Sequence, residues 1–404
     1  MSDSINTYPG AHRNTGPSGG RTLSDKIYKR IGIFVFYDAT GVVDDYVEVL
    51  LKSMRKEVQK LIVVVNGVIE RSGYQRLKRI SHKVYIRDNV GYDAGAYKDA
   101  LTQFLKDEIC EYWDEIILFN DTFYGPIHPW KEVFQRMERK NADFWGLSKF
   151  PKGNYFDTGE AIPEHIQGYF LVCRRPLFMS DDWRIFWNQL EYPRNYQEAV
   201  ENFEIYFSQY FWEKGYISKI FTDDYDAAIA NCENPTMWCF DKLIRSMKFP
   251  IIKRRVFCLL HLDEVDKTIE YIKNYTNYDV RLISSHLERL CSENRHQVLA
   301  PFNPIQLCKF CKEHKGVFIY GYGIYGKGIA KYLEYKGLKY KGVIVSEKDE
   351  KNDKLFVYRN MTFDEGDGII LALGEKAFYE VYPMVKENLK DAQLYFANYD
   401  NDRK

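Results

Sequence analysis

A strongly apolar run of this chain ends in side chains whose oxygen atoms could bind a ligand. The segment IILFNDTFYGP leads from four apolar residues into Asn120, Asp121 and Thr122, and a Tyr-Gly-Pro sequence follows. An amide, a carboxylate and a hydroxyl side by side can bind a polar ligand through oxygen. The same residue types also favour an Asx-turn or a helix cap at the end of a strand. Taken alone, this segment leaves both interpretations open.

Four apolar runs, separated by helical patterns, predict a parallel sheet early in the chain. The predicted strands are IGIFVFYD (31–38), KLIVVVNG (60–67), KVYIRDN (83–89) and EIILFND (115–121), with helices over 44–58 and 96–109. Continuous β-branched runs between amphipathic helices are typical of a sheet covered on both faces. In such sheets ligands bind at the carboxyl ends of the strands. Each run ends in polar residues: Tyr37 and Asp38, Asn66, Asp88 and Asn89, Asn120 and Asp121.

Several motifs around these strands resemble those of a known family. They are Asn-x-Gly-Tyr-Asp within 88–98, Asn-Asp-Thr with Gly-Pro within 118–126, His-x-Gln-x-Tyr-Phe within 165–172, and the segment 250–257. Their order is similar to that of the rhamnan synthesis F family, bacterial polysaccharide rhamnosyltransferases with a GT-A, Rossmann-like α/β fold. The resemblance covers about residues 30 to 257. It implies an inverting glycosyltransferase that moves L-rhamnose from dTDP-L-rhamnose, or a similar nucleotide sugar, onto a surface polysaccharide or a lipid-linked glycan.

The resemblance assigns a divalent metal to the end of the fourth strand. Many GT-A enzymes carry two acids there, whereas this chain has Asn120 and Asp121. One carboxylate, one amide oxygen, the donor diphosphate and water can still complete the oxygen shell that Mg²⁺ or Mn²⁺ prefers. The exchange at position 120 nevertheless weakens the case for tight metal binding. The alternative is neutralisation of the diphosphate by the basic run Lys253-Arg254-Arg255, in which we select Lys253; a solvated basic face is equally open.

The implied reaction also needs a carboxylate that takes the proton of the acceptor hydroxyl. In inverting GT-A enzymes this residue begins a helix, and a glycine follows about eleven residues later. Glu204 and Gly215 fit that pattern, within a helix predicted over 200–214, and Glu201 is the rival base. The aromatic residues near Glu204 predict partial desolvation and a raised pKa. A surface glutamate on an amphipathic helix is the alternative.

Further residues are assigned to the donor by their positions in the resemblance. His165 and Gln167 alternate along an extended segment and would line the donor-sugar or acceptor site, although a satisfied structural histidine is the alternative. The remaining donor-site residues, around base, ribose and diphosphate, are Tyr37, Asp38, Asn66, Asn89, Gly91 and Asp93. All of these assignments are weaker than those for Asp121 and Glu204.

The last ninety or so residues contain a second candidate site. The segment YGYGIYGKG holds GxGxxG at Gly321, Gly323 and Gly326, between a predicted strand and a predicted helix. Glu347, about twenty residues further on, is where a ribose-binding acid would fall. Nucleotide binding and a purely structural role are both open. An NAD(P)-dependent oxidoreductase or a nucleotide-binding assembly protein that uses this module is therefore the alternative function.

Composition excludes partners that are recognised by net charge. The 57 basic residues balance 57 acidic residues, so no long-range field favours nucleic acid or an anionic membrane. No apolar run approaches the roughly 20 residues of a membrane span, and eight scattered cysteines fit a reducing compartment. We predict a cytoplasmic protein, and peripheral contact with the inner face of the cell membrane stays open.

Four segments are predicted along the chain. They are a disordered amino-terminal segment (1–25), a GT-A-like domain (26–257), a helical connector (258–315) and a Rossmann-like module (316–404). The oligomeric state does not follow from the sequence.

Overall fold

The computed structural model contains two α/β units. It describes residues 27–154, 161–223, 234–258, 262–292, 304–347, 355–387, 389 and 393–397. The amino-terminal segment predicted to be disordered lies outside these residues.

The first unit is built on a twisted sheet, and every strand expected from the apolar runs is present. The strands of this unit are β1 (Arg30–Phe36), β2 (Lys60–Asn66), β3 (Lys83–Arg87), β4 (Glu115–Asn120), β5 (Phe123–Tyr124), β6 (Phe144–Gly146), β7 (Lys149–Phe150), β8 (Gly153–Asn154), β9 (Ala161–Ile162), β10 (His165–Ile166), β11 (Phe170–Arg174), β12 (Ser218–Ile220) and β13 (Ile252–Lys253). The central sheet has the order β3-β2-β1-β4-β11-β6-β12 in the described chain. Strand β11 runs antiparallel to β4 and β6, and the other neighbours are parallel. The predicted α/β class is confirmed.

Helices cover both faces of this sheet. Those described before residue 259 are α1 (Asp45–Met54), α2 (Arg71–Ile80), α3 (Tyr92–Asp99), α4 (Trp130–Glu138), α5 (Arg175–Phe178), α6 (Asp181–Gln189), α7 (Tyr196–Ala199), α8 (Tyr206–Glu213), α9 (Pro235–Trp238), α10 (Phe240–Met247) and α11 (Arg254–Cys258). Alternate residues of β1 reach different cores, because successive strand residues face opposite sides. Phe34 packs in one core with Leu50 of α1, and Val35 packs in the other with Phe207 of α8.

Two helices differ from the sequence-based expectation in ways that affect the site. The helix expected from residue 96 begins at Tyr92 and continues as a π-helical turn over Ala100–Phe104. The helix expected over 200–214 begins earlier, at Tyr196, because Asn195 caps it by accepting a hydrogen bond from the backbone of Glu198. A π-helical segment, Val200–Ile205, then joins α7 to α8. Glu204 therefore lies inside a continuous helix, and not at its start.

Two helices of the predicted connector pack into the core of the first unit. Its helices are α12 (Leu262–Tyr275), α13 (Arg281–Ser292) and α14 (Pro304–Glu313). Ile272 of α12 and Leu287 of α13 are buried in the core that also contains Leu50 of α1. Within the described residues, none of the helices has both the length and the apolar content that crossing a bilayer requires.

The second unit is a smaller parallel sheet with a glycine-rich turn. Its elements are β14 (Gly316–Tyr320), α15 (Ile324–Tyr335), β15 (Gly342–Val345), β16 (Leu355–Val357), β17 (Asp367–Leu371), α16 (Glu375–Lys386) and β18 (Leu394–Phe396). The order is β16-β15-β14-β17-β18, five strands where room for about four was expected. Gly321 has φ +119°, and a Cβ on Gly326 would lie 1.8 Å from the carbonyl oxygen of Gly321. The turn between β14 and α15 therefore requires glycine at both positions.

Candidate active site

The carboxyl ends of β1 and β4 bring Asp38 and Asp121 to one edge of the central sheet. The two strands are adjacent and parallel, and Val35 lies opposite Asn120. Strands β2 and β3 lie on one side of β1, and β4 lies on its other side. The edge at the end of β1 is therefore a topological switch point, where α/β sheets bind ligands. Asp38 follows β1 by two residues, and Asp121 directly follows β4.

A two-stranded ladder brings basic side chains to the same edge. Strand β13 pairs antiparallel with β5, so that Lys253 lies opposite Phe123. The backbone N–H of Arg254 donates to the carbonyl of Thr122 at 3.0 Å. The guanidinium Nη1 of Arg254 then reaches the carboxylate Oδ2 of Asp121 at 2.9 Å and its carbonyl oxygen at 3.0 Å. Lys253 was the residue selected from the basic run, but Arg254 is the one that binds Asp121.

Asn120 uses its side chain to build the end of β4. Its Oδ1 accepts hydrogen bonds from the backbone N–H of Thr122 at 3.2 Å and from the Thr122 hydroxyl at 2.6 Å. Its Nδ2 donates to the carboxylate of Asp93 at 2.7 Å. The Asx-turn interpretation is therefore realised at this residue, and the same side chain ties Asp93 of α3 to β4.

The donor set at this strand end does not fit a divalent metal held by the protein alone. The amide oxygen of Asn120 already accepts two hydrogen bonds, and Asp121 is paired with Arg254. In the part of the chain that the structure describes, no three His, Cys, Asp or Glu side chains are grouped so that they could hold a metal ion. A metal at Asn120 and Asp121 stays a prediction from the resemblance.

The π-helical segment between α7 and α8 delivers Glu204 to the site. The Glu204 carboxylate accepts a hydrogen bond from the backbone N–H of Gly168. A Cβ on Gly168 would lie 2.9 Å from Cγ of Glu204, so this close approach depends on glycine. On another side, Nε2 of His165 is 3.9 Å from Oε2 of Glu204. Single π-helical turns inside α-helices are frequent at functional sites.

Burial and neighbouring charges give these side chains unusual acidities. Burial raises the pKa of Glu204 to about 7. The positive charge of Lys253 lowers this pKa, and the negative charge of Asp93 raises it further. Burial also lowers the pKa of Lys253, against the attraction of Glu204 and Asp93. Likewise, burial raises the pKa of Asp121 to about 6, and Arg254 opposes it. We call Asp93, Asp121 and Glu204 the acid cluster, since each lies within electrostatic range of another member and of a basic side chain.

His165 of β10 and Gln167, which follows that strand, lie close to Glu204 and Lys253 respectively. His165 donates from Nδ1 to the carbonyl of Pro163 at 2.8 Å, which leaves the lone pair of Nε2 facing Glu204. Gln167 accepts a hydrogen bond from the Ser148 hydroxyl at 2.7 Å. That hydroxyl is 2.6 Å from the hydroxyl of Tyr169, and Nζ of Lys253 lies 3.4 Å from the centre of the Tyr169 ring. His165 is thus the neighbour of Glu204, and Gln167 is linked to Lys253 through Ser148 and Tyr169.

The remaining donor-site candidates make their contacts elsewhere, although Asp38 also lies within electrostatic range of Asp121. Asn66 is occupied by the carbonyl of Tyr92 at 2.9 Å and by Arg87 at 2.7 Å, so it holds the loop before α3. Asp38 accepts hydrogen bonds from the loop that follows β1 and from Arg289 of α13. Tyr37 and Asn89 are exposed and flank Gly67.

Gly91 has φ +78° and forms the amino-terminal cap of α3, the helix that carries Asp93. The rival base, Glu201, accepts a hydrogen bond from Gln197 of its own helix at 2.9 Å. The side chain of Glu201 is thus bound within its own helix.

Sequence reasoning missed three residues that the structure places at or beside the cluster. Tyr46 of α1 accepts a hydrogen bond from Arg254 at 3.0 Å. Arg289 comes from the predicted connector, where no local pattern indicates a site. Tyr97 of α3 is buried against the acid cluster, and only its spacing of four residues from Asp93 could have drawn attention to it.

A comparison with known protein families gives one family match for this chain. A family model described as rhamnan synthesis protein F matches residues 61–320. The chain belongs to the rhamnan synthesis protein F family. This membership confirms the resemblance drawn from the motifs. The match also extends beyond residue 257, where the resemblance ended. It includes α12 and α13, which pack on the first unit of this rhamnan synthesis F protein, and ends with β14.

Individual relatives of this rhamnan synthesis F protein are distant. The uncharacterized protein y4gN of Sinorhizobium fredii is 24% identical over 226 residues, which is 54% of this chain and 56% of that protein. The chain therefore spans little more than half the length of this curated relative.

Two solved structures show only a weak likeness. The bifunctional glycosyltransferase WbbM is 12% identical, with a TM-score of 0.32 over 65% of this chain and 52% of that one. The 4-diphosphocytidyl-2C-methyl-D-erythritol synthase of Anaerococcus prevotii is 10% identical, with a TM-score of 0.31 over 48% and 86%. At this level of likeness neither structure bears on the function of this chain.

Proposed function

We propose that this rhamnan synthesis F protein is an inverting glycosyltransferase of polysaccharide synthesis. The observation that carries the proposal is the meeting of Glu204 and Asp121 with Lys253 and Arg254 at the carboxyl edge of a parallel sheet. Such an edge is where α/β folds bind nucleotides. A carboxylate with a pKa near 7 is suited to take a proton at neutral pH. Lysine and arginine beside it are suited to bind a diphosphate.

The proposed donor is dTDP-L-rhamnose, and the acceptor is a growing polysaccharide or lipid-linked glycan met at the inner face of the cell membrane. The Glu204 carboxylate takes the proton of the acceptor hydroxyl while that oxygen forms a bond to the anomeric carbon of the donor. The bond from this carbon to the diphosphate breaks at the opposite face, and the nucleotide diphosphate leaves with the electron pair. The configuration at the anomeric carbon is thereby inverted.

We propose that the charge of the leaving diphosphate is balanced by Arg254 and Lys253. Both side chains are tied to acids of the cluster in the structure. A diphosphate would compete with Asp121 and Glu204 for them, and that exchange would release Glu204 to act as a base. A divalent metal carried in with the donor remains the prediction of the family resemblance, and no step of this scheme depends on it.

The proposed base can be tested with one substitution and a matched control. Glu204→Gln keeps the shape of the side chain but cannot take a proton, so we expect a loss of transfer of about 10²–10⁴-fold. The measurement is release of dTDP from dTDP-L-rhamnose, together with calorimetric binding of dTDP, which should be retained or become tighter because Lys253 loses a competing carboxylate. Glu201→Gln, three residues earlier on the same helix, should transfer at the rate of the unaltered protein. Full turnover by Glu204→Gln would remove Glu204 as the base.

A further inference from the structure

The hydroxyl of Tyr97 is buried beside the acid cluster, where no described residue pairs with it. Tyr97 is fully buried, and within the described residues its hydroxyl makes no hydrogen bond. Buried tyrosine hydroxyls normally find a partner, so this donor needs an explanation.

Three observations indicate where this hydroxyl lies. Tyr97 follows Asp93 by four residues on α3, which places both side chains on one face of the helix. Its ring packs against the ring of Phe203, and the two ring centroids are 5.8 Å apart. Phe203 directly precedes Glu204 in the chain. Burial and the carboxylates of Asp93, Asp121 and Glu204 raise the pKa of Tyr97, so the phenol keeps its proton and acts as a donor.

The nearby carboxylates have other partners. Asp93 accepts from Asn120, Asp121 from Arg254, and Glu204 from the backbone of Gly168. The Tyr97 donor is thus held among acids that it does not bind. Because Lys253 and Arg254 are the basic groups that a diphosphate would meet, the uncharged Tyr97 donor is left for a neutral oxygen atom of the bound molecule.

We propose that Tyr97 donates a hydrogen bond to an oxygen atom of the sugar that is transferred. The inference rests on the proposed function, in which Asp121 lies at the diphosphate end of the donor and Glu204 at the acceptor. Because both Asp121 and Glu204 act electrostatically on the Tyr97 phenol, a sugar held between these two ends would lie beside its hydroxyl. A site built to hydrogen-bond a substrate hydroxyl rejects analogues that lack it, so Tyr97 is a determinant of which sugar is accepted.

The test is calorimetric binding of dTDP-L-rhamnose and of dTDP to Tyr97→Phe and to the unaltered protein. We expect the variant to bind dTDP-L-rhamnose about tenfold more weakly and dTDP equally well. Its Tm should be unchanged or slightly higher, because the hydroxyl that is lost has no protein partner. Tyr85→Phe is the matched control: its hydroxyl donates to the carbonyl of Phe104 at 3.1 Å, so this change should lower Tm and leave both affinities unchanged.

Each other outcome has a separate meaning. Equal affinity of Tyr97→Phe and the unaltered protein for dTDP-L-rhamnose overturns the inference. An equal loss for dTDP places the bond on the nucleotide diphosphate and also overturns it, as does a fall in Tm that accounts for the weaker binding. If the unaltered protein binds dTDP-L-rhamnose with the expected dependence on Tyr97 but never transfers the sugar, the contact stands and the proposed function fails.

Discussion

At the scale of single residues, Glu204 combines suitability as a base with a cost to folding. Its carboxylate is held by the Gly168 backbone, faces Nε2 of His165 and lies near Lys253. Burial raises its pKa from 4.5 to about 7, so the folded protein binds this proton more tightly than the unfolded chain does. The stability contributed by the group is therefore fully present below about pH 4.5 and is lost as the pH rises through 7.

This sign leads to a prediction that needs no substrate. Glu204→Gln stays neutral at every pH, so at pH 8 we expect it to be more stable than the unaltered protein by about 1–3 kcal/mol. The gain should be much smaller at pH 5, because little of the stability has been lost there. Urea unfolding at both pH values measures the difference, with Glu201→Gln as the control. A variant less stable than the unaltered protein at pH 8 would contradict the raised pKa.

At the scale of elements, helix α13 is the feature that most changes the interpretation of the sequence. Arg289 donates to Asp44 at 2.6 and 3.0 Å and to Asp38 at 3.0 Å, and so fastens the loop between β1 and α1. Nδ1 of His286 lies 2.6 Å from the hydroxyl of Tyr124 in β5. A helix expected to connect two domains is thus attached to the strand ends that carry the candidate site.

Removal of this attachment should affect both stability and donor binding. Arg289→Ala leaves two largely buried aspartates without this partner, so we expect a loss of about 2–3 kcal/mol in the free energy of unfolding. We also expect a higher KM for the donor with little change in kcat, because the loop next to Tyr37 loses its anchor. Arg281→Ala, on the same helix but 86% exposed and paired with Asp279, is the control and should change neither quantity. An unchanged KM in Arg289→Ala would separate α13 from donor binding.

At the scale of the whole molecule, each α/β unit has a sheet edge that the sequence assigns as a candidate nucleotide site. The first edge carries the acid cluster with Lys253 and Arg254, and the second carries the glycine turn from Gly321 to Gly326. These edges correspond to the proposed transferase and to the alternative NAD(P)-dependent or nucleotide-binding function.

A thermal-shift panel on the full chain distinguishes these possibilities. A ligand at a hundred times its Kd stabilises by about 2.7 kcal/mol, so dTDP should raise Tm by roughly 5 °C. Because Arg254 and Lys253 supply positive charge, Mn²⁺ should add little to that shift, and NAD(H) should give none. A shift that requires Mn²⁺ would instead favour the metal at Asp121. A shift with NAD(H) would favour the alternative function of the second unit.

The sequence by itself determined the parts of this protein that depend on local pattern. Continuous apolar runs such as IILF and KLIVVVN indicate buried strands, because this pattern depends only on residues that are neighbours in the sequence. The α/β class, the four adjoining strands, the glycine turn of the second unit and the family motifs followed from such patterns. Helix ends followed less well, because the cap at Asn195 lies outside the aromatic pattern that predicted the helix.

Only the tertiary structure decided which distant side chains meet. The register in which β13 pairs with β5 sends Arg254 to Asp121 and Lys253 towards Glu204 and Asp93, a division of partners that the basic run by itself does not indicate. Arg289 reaches Asp38 across 251 positions of the chain. The unpartnered hydroxyl of Tyr97 likewise results from what packs around it. Such contacts are set by the packing of whole elements against each other, which no local run of residues encodes.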